Sequence, residues 1–543
     1  MSQQVLPDGA AEKGVREKLQ VSYDVHKARH TAMLNEIIKS SVRSPVYTGR
    51  LREIDDLANL SDLPLTSYDQ IVRIMNERGT ENILLEKYER FFHTSGSSGS
   101  AKRFYYSEGD IQSTVFDYVL FTHMIGIDTD DIGWNFGGSD PLVSGLVMDN
   151  VARMIPMEKC VTTLLGDDSD LVAALKRACR EEEIDVMAGA AIVFYIVGRI
   201  AQDPDYLSSI VRHRLHEDYW IPNSLAGLIA RFYLSGIDRH ALRNIAGNVH
   251  TGISYAETLD PYMHYIKESY PQIRMFDVYG STENPLIAAQ LSADVPGLSV
   301  FLNSVIPEIA DPKDVLESKA NPNVRVLGVP WNEWQAGLRG ELLITRPGRC
   351  LPLVRYPTGD IVEVVDPAGK SEVRIGKVKG TIVLPMIKVL GRSVDVLDFE
   401  VEDESGNFLG NKIYSRHINE AMLSAGNVRW WELYNIKICP ARIVFLIIPD
   451  KNVADKERYG REVLHHLLRE CDDLLHTLKV GHDLGRVEVK VCNAEAFKVI
   501  QEEIDRRMRE GRSLGQMKPK HIITVGSEAE FNKSTEGKLQ IDR

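Results

Sequence analysis

Over residues 15–43 a polar, charged chain carries Val25, Met33, Leu34, Ile37 and Ile38 at helical spacing, which predicts an amphipathic helix. A second helix is expected after Leu65, with Thr66 or Ser67 as its cap and Ile71, Ile74 and Met75 on its apolar face. Helical patterns over 171–183, 226–232 and 238–244 then alternate with short apolar runs at 248–253 and 275–279. That alternation predicts an α/β domain with mixed, largely parallel sheets. In such sheets ligands sit beyond the carboxyl ends of the strands, so motifs that follow a strand carry the most weight. Towards the end of the chain, helical patterns at 461–477 and 495–512 and β-like runs at 443–448 and 487–491 predict a smaller α+β module.

A chain of 543 residues is too long for a single core, so two domains are expected. The formal charge of −13 argues against a nucleic-acid or anionic-membrane surface. No run is long enough to span a bilayer, and the N-terminal residues lack the apolar core of a signal peptide. The six cysteines form no Cys-x-x-Cys pair and have no histidine spacing that suggests zinc, as expected of reduced thiols in a cytoplasmic protein.

Three stretches carry candidate chemistry. The first, His93-Thr94-Ser95-Gly96-Ser97-Ser98-Gly99-Ser100-Ala101-Lys102, is crowded with glycine and hydroxyl residues. Glycines let backbone N–H groups turn towards an anion, and the hydroxyls add donors, so the stretch can hold phosphate. It matches neither the P-loop nor the dinucleotide fingerprint, and a Gly/Ser-rich stretch is also what a plain flexible loop looks like. In the second, Asp277-Val278-Tyr279-Gly280-Ser281-Thr282-Glu283, an expected strand runs into a glycine turn. The Glu283 carboxylate there could hold Mg²⁺ against phosphates, or could simply sit at a helix N-terminus and be stabilised by the helix dipole. The third, Arg355-Tyr356-Pro357-Thr358-Gly359-Asp360, places an aspartate where it could accept both ribose hydroxyls or serve an ordinary Asx turn.

Taken together, these stretches resemble the motifs of the adenylate-forming superfamily of acyl-CoA synthetases, nonribosomal-peptide adenylation domains and luciferases. HTSGSSGSAK is similar to its phosphate loop, DVYGSTE to its adenine and magnesium motif, RYPTGD to its ribose motif and LGRSVD to its interdomain hinge. The terminal NKSTEGKLQIDR is similar to the motif that carries a catalytic lysine. The lead-in SPVYTGRLREIDDLANLSDLPLTSYDQI, the GDIQ after the loop and the short STEGK ending most resemble the phenylacetate-CoA ligase branch. A weaker resemblance links the chain to the auxin-conjugating acyl-acid amido synthetases.

The resemblance implies an adenylate-forming fold, with an ATP- and acid-binding domain over 1–390 and a mobile C-terminal domain over 391–543. It implies activation of a small, aromatic or similar carboxylic acid as an acyl-adenylate and transfer to coenzyme A. An amine or a separate carrier-protein thiol is the alternative acceptor, and a non-catalytic nucleotide-binding homologue is the rival from another class. By motif, Thr94, Ser95, Gly96, Ser97, Ser98, Gly99 and Lys102 would hold the β- and γ-phosphates. Tyr279, Gly280 and Ser281 would face the nucleotide, Thr282 would touch the α-phosphate, Glu283 would bind Mg²⁺ and Asp360 the ribose. Arg392 would belong to the hinge side of the nucleotide site, and Lys538 would bring its ammonium to the acyl-phosphate. From the residues themselves, candidate walls of the acid pocket are Trp134, Phe136, Gly138, Ala188, Gly189, Gly252 and Tyr279, whose glycines and alanine would leave room for a ring or branched chain; all could equally be core or loop residues.

The chain also departs from the superfamily pattern. Ser100 and Ala101 stand where the phosphate loop usually has lysine and proline, so Lys102 is its only ammonium. Val394 occupies the place of an acidic hinge pivot, with Asp395 after it, and Pro357 replaces an arginine of the ribose motif. Residues 401–410 look like an inserted hairpin turning at Ser405-Gly406-Asn407, and residues 311–332 like a second insertion.

Overall fold

The computed structural model describes residues 23–94, 102–138, 157–165, 168–181, 183–203, 222–255, 262–321, 324–375, 378–393, 397–402, 408–413, 425–437, 442–470, 485–500 and 522–539, with a few isolated positions between. Most of the Gly/Ser-rich stretch (Ser95 to Ala101), Val394 and Asp395 of the expected hinge, and the turn at Ser405-Gly406-Asn407 lie outside the described residues. The chain divides between Val389 and Leu390 into two compact units.

In the larger unit, α1 (Tyr23–Ser41) buries Leu34, Ile37 and Ile38 of the expected apolar stripe, whereas Met33 is half-buried and Val25, nearer the start of the helix, is exposed. Helix α2 (Tyr68–Arg78) is capped by Ser67, whose hydroxyl accepts from the Gln70 amide at 3.2 Å. A hairpin of β1 (Arg90–His93) and β2 (Arg103–Tyr106) follows, then α3 (Glu108–Met124). A capping box starts α3: the Ser107 hydroxyl accepts from the Asp110 amide, and the Asp110 carboxylate accepts from the Ser107 amide. The same carboxylate accepts the backbone amides of Arg349 and Cys350, fastening the start of α3 to a segment about 240 residues away.

A twelve-stranded mixed sheet forms the core of this unit. Strands β3 (Ile132–Gly138), β4 (Lys159–Leu165), β5 (Val186–Gly189), β6 (Thr251–Tyr255) and β7 (Arg274–Tyr279) run parallel in the order β4-β3-β5-β6-β7. Helices α4 (Asp168–Glu181), α5 (Ala191–Gln202), α6 (Asn223–Tyr233), α7 (Arg239–Asn248) and α8 (Met263–Ser269) lie in the crossovers, as parallel pairing requires. After β7 the links shorten, and the pairings with β8 (Ala288–Ala289) and β9 (Leu298–Val300) are antiparallel. The far side holds β10 (Ile306–Ala310), β11 (Gly328–Pro330), β12 (Arg339–Arg346), β13 (Leu353–Ile375) and β14 (Val378–Arg392), with α9 (Pro312–Ala320) between β10 and β11. The expected α/β architecture with a mixed sheet is present. Its parallel part is confined to five strands linked through helices, and the other seven strands follow short links or hairpins, except for the α9 connection between β10 and β11.

The residues 311–332 that looked inserted supply α9 and β11, the latter pairing antiparallel with β10 at the sheet edge. Arg355 on β13 has φ of 46°, a left-handed conformation uncommon outside glycine. Its guanidinium donates to Glu308 at 3.0 and 3.2 Å, to the Leu63 carbonyl at 2.6 Å and to the Val326 carbonyl at 3.0 Å, so the strained backbone aims a side chain into a buried ion pair.

The smaller unit holds the hairpin of β15 (Leu397–Glu402) and β16 (Phe408–Ile413), in the place where the sequence suggested an inserted hairpin. Its main sheet has the order β19-β18-β17-β20, from β17 (Val428–Ile436), β18 (Arg442–Pro449), β19 (Val487–Val491) and β20 (Ile522–Val525). Helix α10 (Lys456–Glu470) packs Tyr459, Val463 and Leu467 against Leu433, Phe445 and Ile447. Residues Trp430, Glu432 and Tyr434 alternate with Trp431 and Leu433 along β17, so they face away from that core. Helix α11 (Glu528–Leu539) lies on their side, with Phe531 edge-on to Tyr434 at 5.2 Å between ring centres. No described helix is long and apolar enough to cross a membrane.

Candidate active site

The end of β7 gathers the motifs of the larger unit. Tyr279 closes the strand, and Gly280 begins a turn in which a Cβ would lie 1.7 Å from the Pro285 carbonyl oxygen. Only glycine fits there, because a neighbouring backbone occupies the space of a side chain. The turn is closed by the Ser281 amide donating to the Asn284 carbonyl at 2.9 Å and the Asn284 amide donating to the Ser281 hydroxyl at 3.3 Å. No helix follows, so the helix-dipole explanation of Glu283 does not apply.

Glu283 is 4 % exposed, and one carboxylate oxygen accepts from the Tyr356 hydroxyl at 3.1 Å. Burial, and after it the Glu283 charge, push the ionisation of Tyr356 well above the usual phenol range, so Tyr356 stays a proton donor to the carboxylate. Lys102 completes a chain: its ammonium lies 3.4 Å from the Tyr356 hydroxyl and over the rings of Tyr68 and Tyr356, at 5.6 and 5.8 Å from their centres. Its backbone is fixed as well, since Thr94 and Lys102 exchange hydrogen bonds of 2.9 Å at the two ends of the Gly/Ser-rich stretch. The loop thus starts and ends at one point, with its only ammonium directed at the tyrosine that holds Glu283.

Behind the Thr282–Glu283 backbone, the Tyr106 hydroxyl donates to the Thr282 carbonyl at 2.7 Å. Buried Arg346 donates to the Tyr106 oxygen at 2.7 Å and also to the Glu283 carbonyl. Burial pushes the Tyr106 phenol up to about 12, so it remains protonated as a donor. On the other side of the turn the Tyr279 hydroxyl donates to the Asp360 carboxylate at 2.7 Å. Asp360 follows Gly359, whose φ is 80°, and lies within β13 rather than in a simple turn.

The candidate pocket walls are arranged differently from the simple expectation. Strand register places Trp134, Phe136, Gly189, Gly252 and Tyr279 on one face of the parallel sheet and Ala188 on the other. Trp134 and Phe136 are buried against each other, with ring centres 4.3 Å apart. A Cβ on Gly252 would meet the Met275 sulfur at 2.3 Å, and one on Gly189 would meet the Phe136 Cβ at 3.2 Å. These glycines accommodate neighbouring side chains rather than opening a space for a ligand. Gly138 ends β3. Arg392 ends β14, exposed, and Lys538 lies in the last turn of α11; both belong to the smaller unit.

In that unit Lys538 is held within 2.7 and 2.6 Å of the two carboxylate oxygens of Glu432 and 3.3 Å from the Tyr434 hydroxyl. Glu432 also accepts from Tyr434 at 2.7 Å and from the Trp430 indole at 3.4 Å. Sequence reasoning missed Tyr106, Arg346, Tyr356, Glu432 and Tyr434 as individual residues. The available signal for the last two was the alternation of Trp430, Glu432 and Tyr434 along a strand, which puts three polar-tipped side chains on one face.

No protein-family model matches the sequence, and neither does any curated protein. Solved structures are similar over nearly the whole chain. A 2-hydroxyisobutyryl-CoA ligase in the postadenylation state, in complex with R3-HIB-AMP, aligns with a TM-score of 0.62 at 12 % identity, over 96 % of this chain and 94 % of that one. An open conformation of the same ligase with 2-HIB-AMP and CoA aligns with 0.54 at 11 % identity, over 92 % and 91 %. The GH3.15 acyl acid amido synthetase aligns with 0.64 at 14 % identity, over 97 % and 96 %. The chain therefore has the fold of the adenylate-forming enzymes.

Proposed function

We propose that this protein is an ATP-dependent carboxylic-acid ligase that forms an acyl-adenylate and passes the acyl group to coenzyme A. The observation that carries the reading is the chain Lys102–Tyr356–Glu283, which joins three stretches of sequence at the carboxyl end of β7. In the first step a carboxylate oxygen of the acid attacks the α-phosphorus of ATP and pyrophosphate leaves. In the second a thiol adds to the acyl carbon and AMP leaves. The protein's work in the first step is alignment and charge handling.

Lys102 and the phosphate loop would hold the β- and γ-phosphates, Thr282 the α-phosphate, and Asp360 with Tyr279 the ribose and adenine side. Glu283 suits Mg²⁺, which takes one or two protein carboxylates and completes its shell with phosphate and water oxygens. Tyr356 orients that carboxylate through one oxygen and leaves the other available among the described residues. Bound there, the ion would supply neutralisation of phosphate charge. Lys538 would supply an ammonium to the charge that accumulates on the acyl-phosphate. A small aromatic acid, as in the phenylacetate-CoA ligase branch, is the substrate class, and Arg392 is assigned to the hinge side of the nucleotide site. Of the candidate pocket walls, Tyr279 at the strand end is the one retained.

An amine acceptor is the second reading, supported by the likeness of the whole chain to an acyl acid amido synthetase. The test is pyrophosphate release with ATP and Mg²⁺ over a panel of aromatic and aliphatic acids, with coenzyme A, with amines and with neither. Acid-dependent release with a new thioester is expected. Release that yields an amide instead would replace the acceptor, and nucleotide binding without release for any acid would leave a non-catalytic homologue.

A further inference from the structure

All three protons of the Lys538 ammonium have acceptors within its own unit: both oxygens of Glu432 and the hydroxyl of Tyr434. The pair is largely shielded from water, the side chains being 13 % and 5 % exposed. Glu432 is itself fixed by Tyr434 and Trp430, and Tyr434 by the edge of Phe531, so the carboxylate is built into the sheet while the lysine sits on a terminal helix. Charge-assisted hydrogen bonds to a shielded carboxylate are the strong kind, and an ammonium so engaged has no donor left for a phosphate or a substrate carboxylate.

We infer that Glu432, with Tyr434, is a holding site for the Lys538 ammonium that must release it before acid activation can proceed. The inference rests on the proposed role of Lys538 and adds that the carboxylate competes with substrate for it. Only the fraction of molecules with a released lysine is competent, so the hold lowers the apparent turnover of adenylation without altering ATP contacts made elsewhere. Glu432 and Tyr434 are positioning residues on this account, acting through the lysine alone.

The test has two readouts on the full-length chain. The first needs no substrate: lysines are acetylated with an N-hydroxysuccinimide ester and the rate at each is followed by mass spectrometry. Exposed Lys533 on the same helix serves as the internal standard. Lys538 should react about tenfold or more slowly than Lys533, and Glu432→Gln should abolish the difference. The second is acid-dependent ATP–pyrophosphate exchange, in which Glu432→Gln should raise kcat several-fold with the KM for ATP unchanged. Tyr434→Phe, which keeps the carboxylate, should fall between wild type and Glu432→Gln in both readouts and guards against a Glu432 variant that fails to fold.

Equal labelling of Lys538 and Lys533 in the unsubstituted protein would overturn the hold. So would a Glu432→Gln exchange rate as low as that of Lys538→Ala, since Glu432 would then be aiming the lysine rather than withholding it. Exchange that survives Lys538→Ala, with the labelling contrast intact, would overturn the role of Lys538 and leave the pair as a structural bridge.

Discussion

The Tyr279 hydroxyl donates to the Asp360 carboxylate at 2.7 Å, although 81 residues separate the two in sequence. The bond ties the end of the last parallel strand to a long antiparallel strand, and so joins the stretch proposed here for adenine and magnesium to the one proposed for ribose. It also orients the carboxylate.

Asp360→Asn keeps the shape and removes the charge. It is expected to raise the KM for ATP about 10-fold to 100-fold, the worth of one or two hydrogen bonds to a charged group. Tyr279→Phe, which leaves the carboxylate but removes its tether, should give a smaller rise. Steady-state pyrophosphate release at varied ATP reads both, and an unchanged KM in Asp360→Asn would remove Asp360 from the nucleotide site.

The buried Arg355–Glu308 pair predicts a stability effect with no direct role in nucleotide binding. Both side chains are almost wholly buried, at 1 % and 0 % exposed. Removing one partner strands the other charge in the interior, so Arg355→Met should cost about 3–5 kcal/mol in denaturant unfolding of the larger unit. Arg355→Met combined with Glu308→Leu should recover much of that loss. An equally large loss in the double variant would mean that the carbonyl contacts of Arg355, rather than the ion pair, hold the segment.

His30 predicts a pH dependence of stability. Its two ring nitrogens are both used, one accepting from the Trp331 indole at 2.8 Å and the other donating to the Leu302 carbonyl. Burial lowers its pKa from 6.5 to about 4, with a smaller contribution from nearby His26. Above pH 6.5 the folded and unfolded chains both carry neutral histidine. Between 6.5 and 4 only the unfolded chain takes up this proton, so the His30 contribution should lower stability by about 3 kcal/mol across that window relative to His30→Gln and change no further below it. Unfolding midpoints measured from pH 7 to 4 should show this slope, and His30→Gln should lack it.

The residues proposed for the chemistry fall mostly in short local stretches that the sequence alone could single out. Thr94 and Lys102 bracket one loop, Gly280 to Glu283 are consecutive, and Lys538 sits in its own short motif, because anion-holding loops and glycine turns depend on residue types at fixed spacing. Helix α2 and its Ser67 cap, strands β7 and β19, and the apolar stripe of α1 were legible for the same reason: each is a short-range periodicity. What the sequence could not give is partnership across long separations. Tyr356 reaches Glu283 over 73 residues and Lys102 over 254, and Glu432 takes Lys538 over 106. Nor could it tell an open glycine from one filled by a neighbour, as Met275 fills the space over Gly252. Strand order and register decide such contacts, and these follow from burying the whole apolar surface at once rather than from any local run of residues.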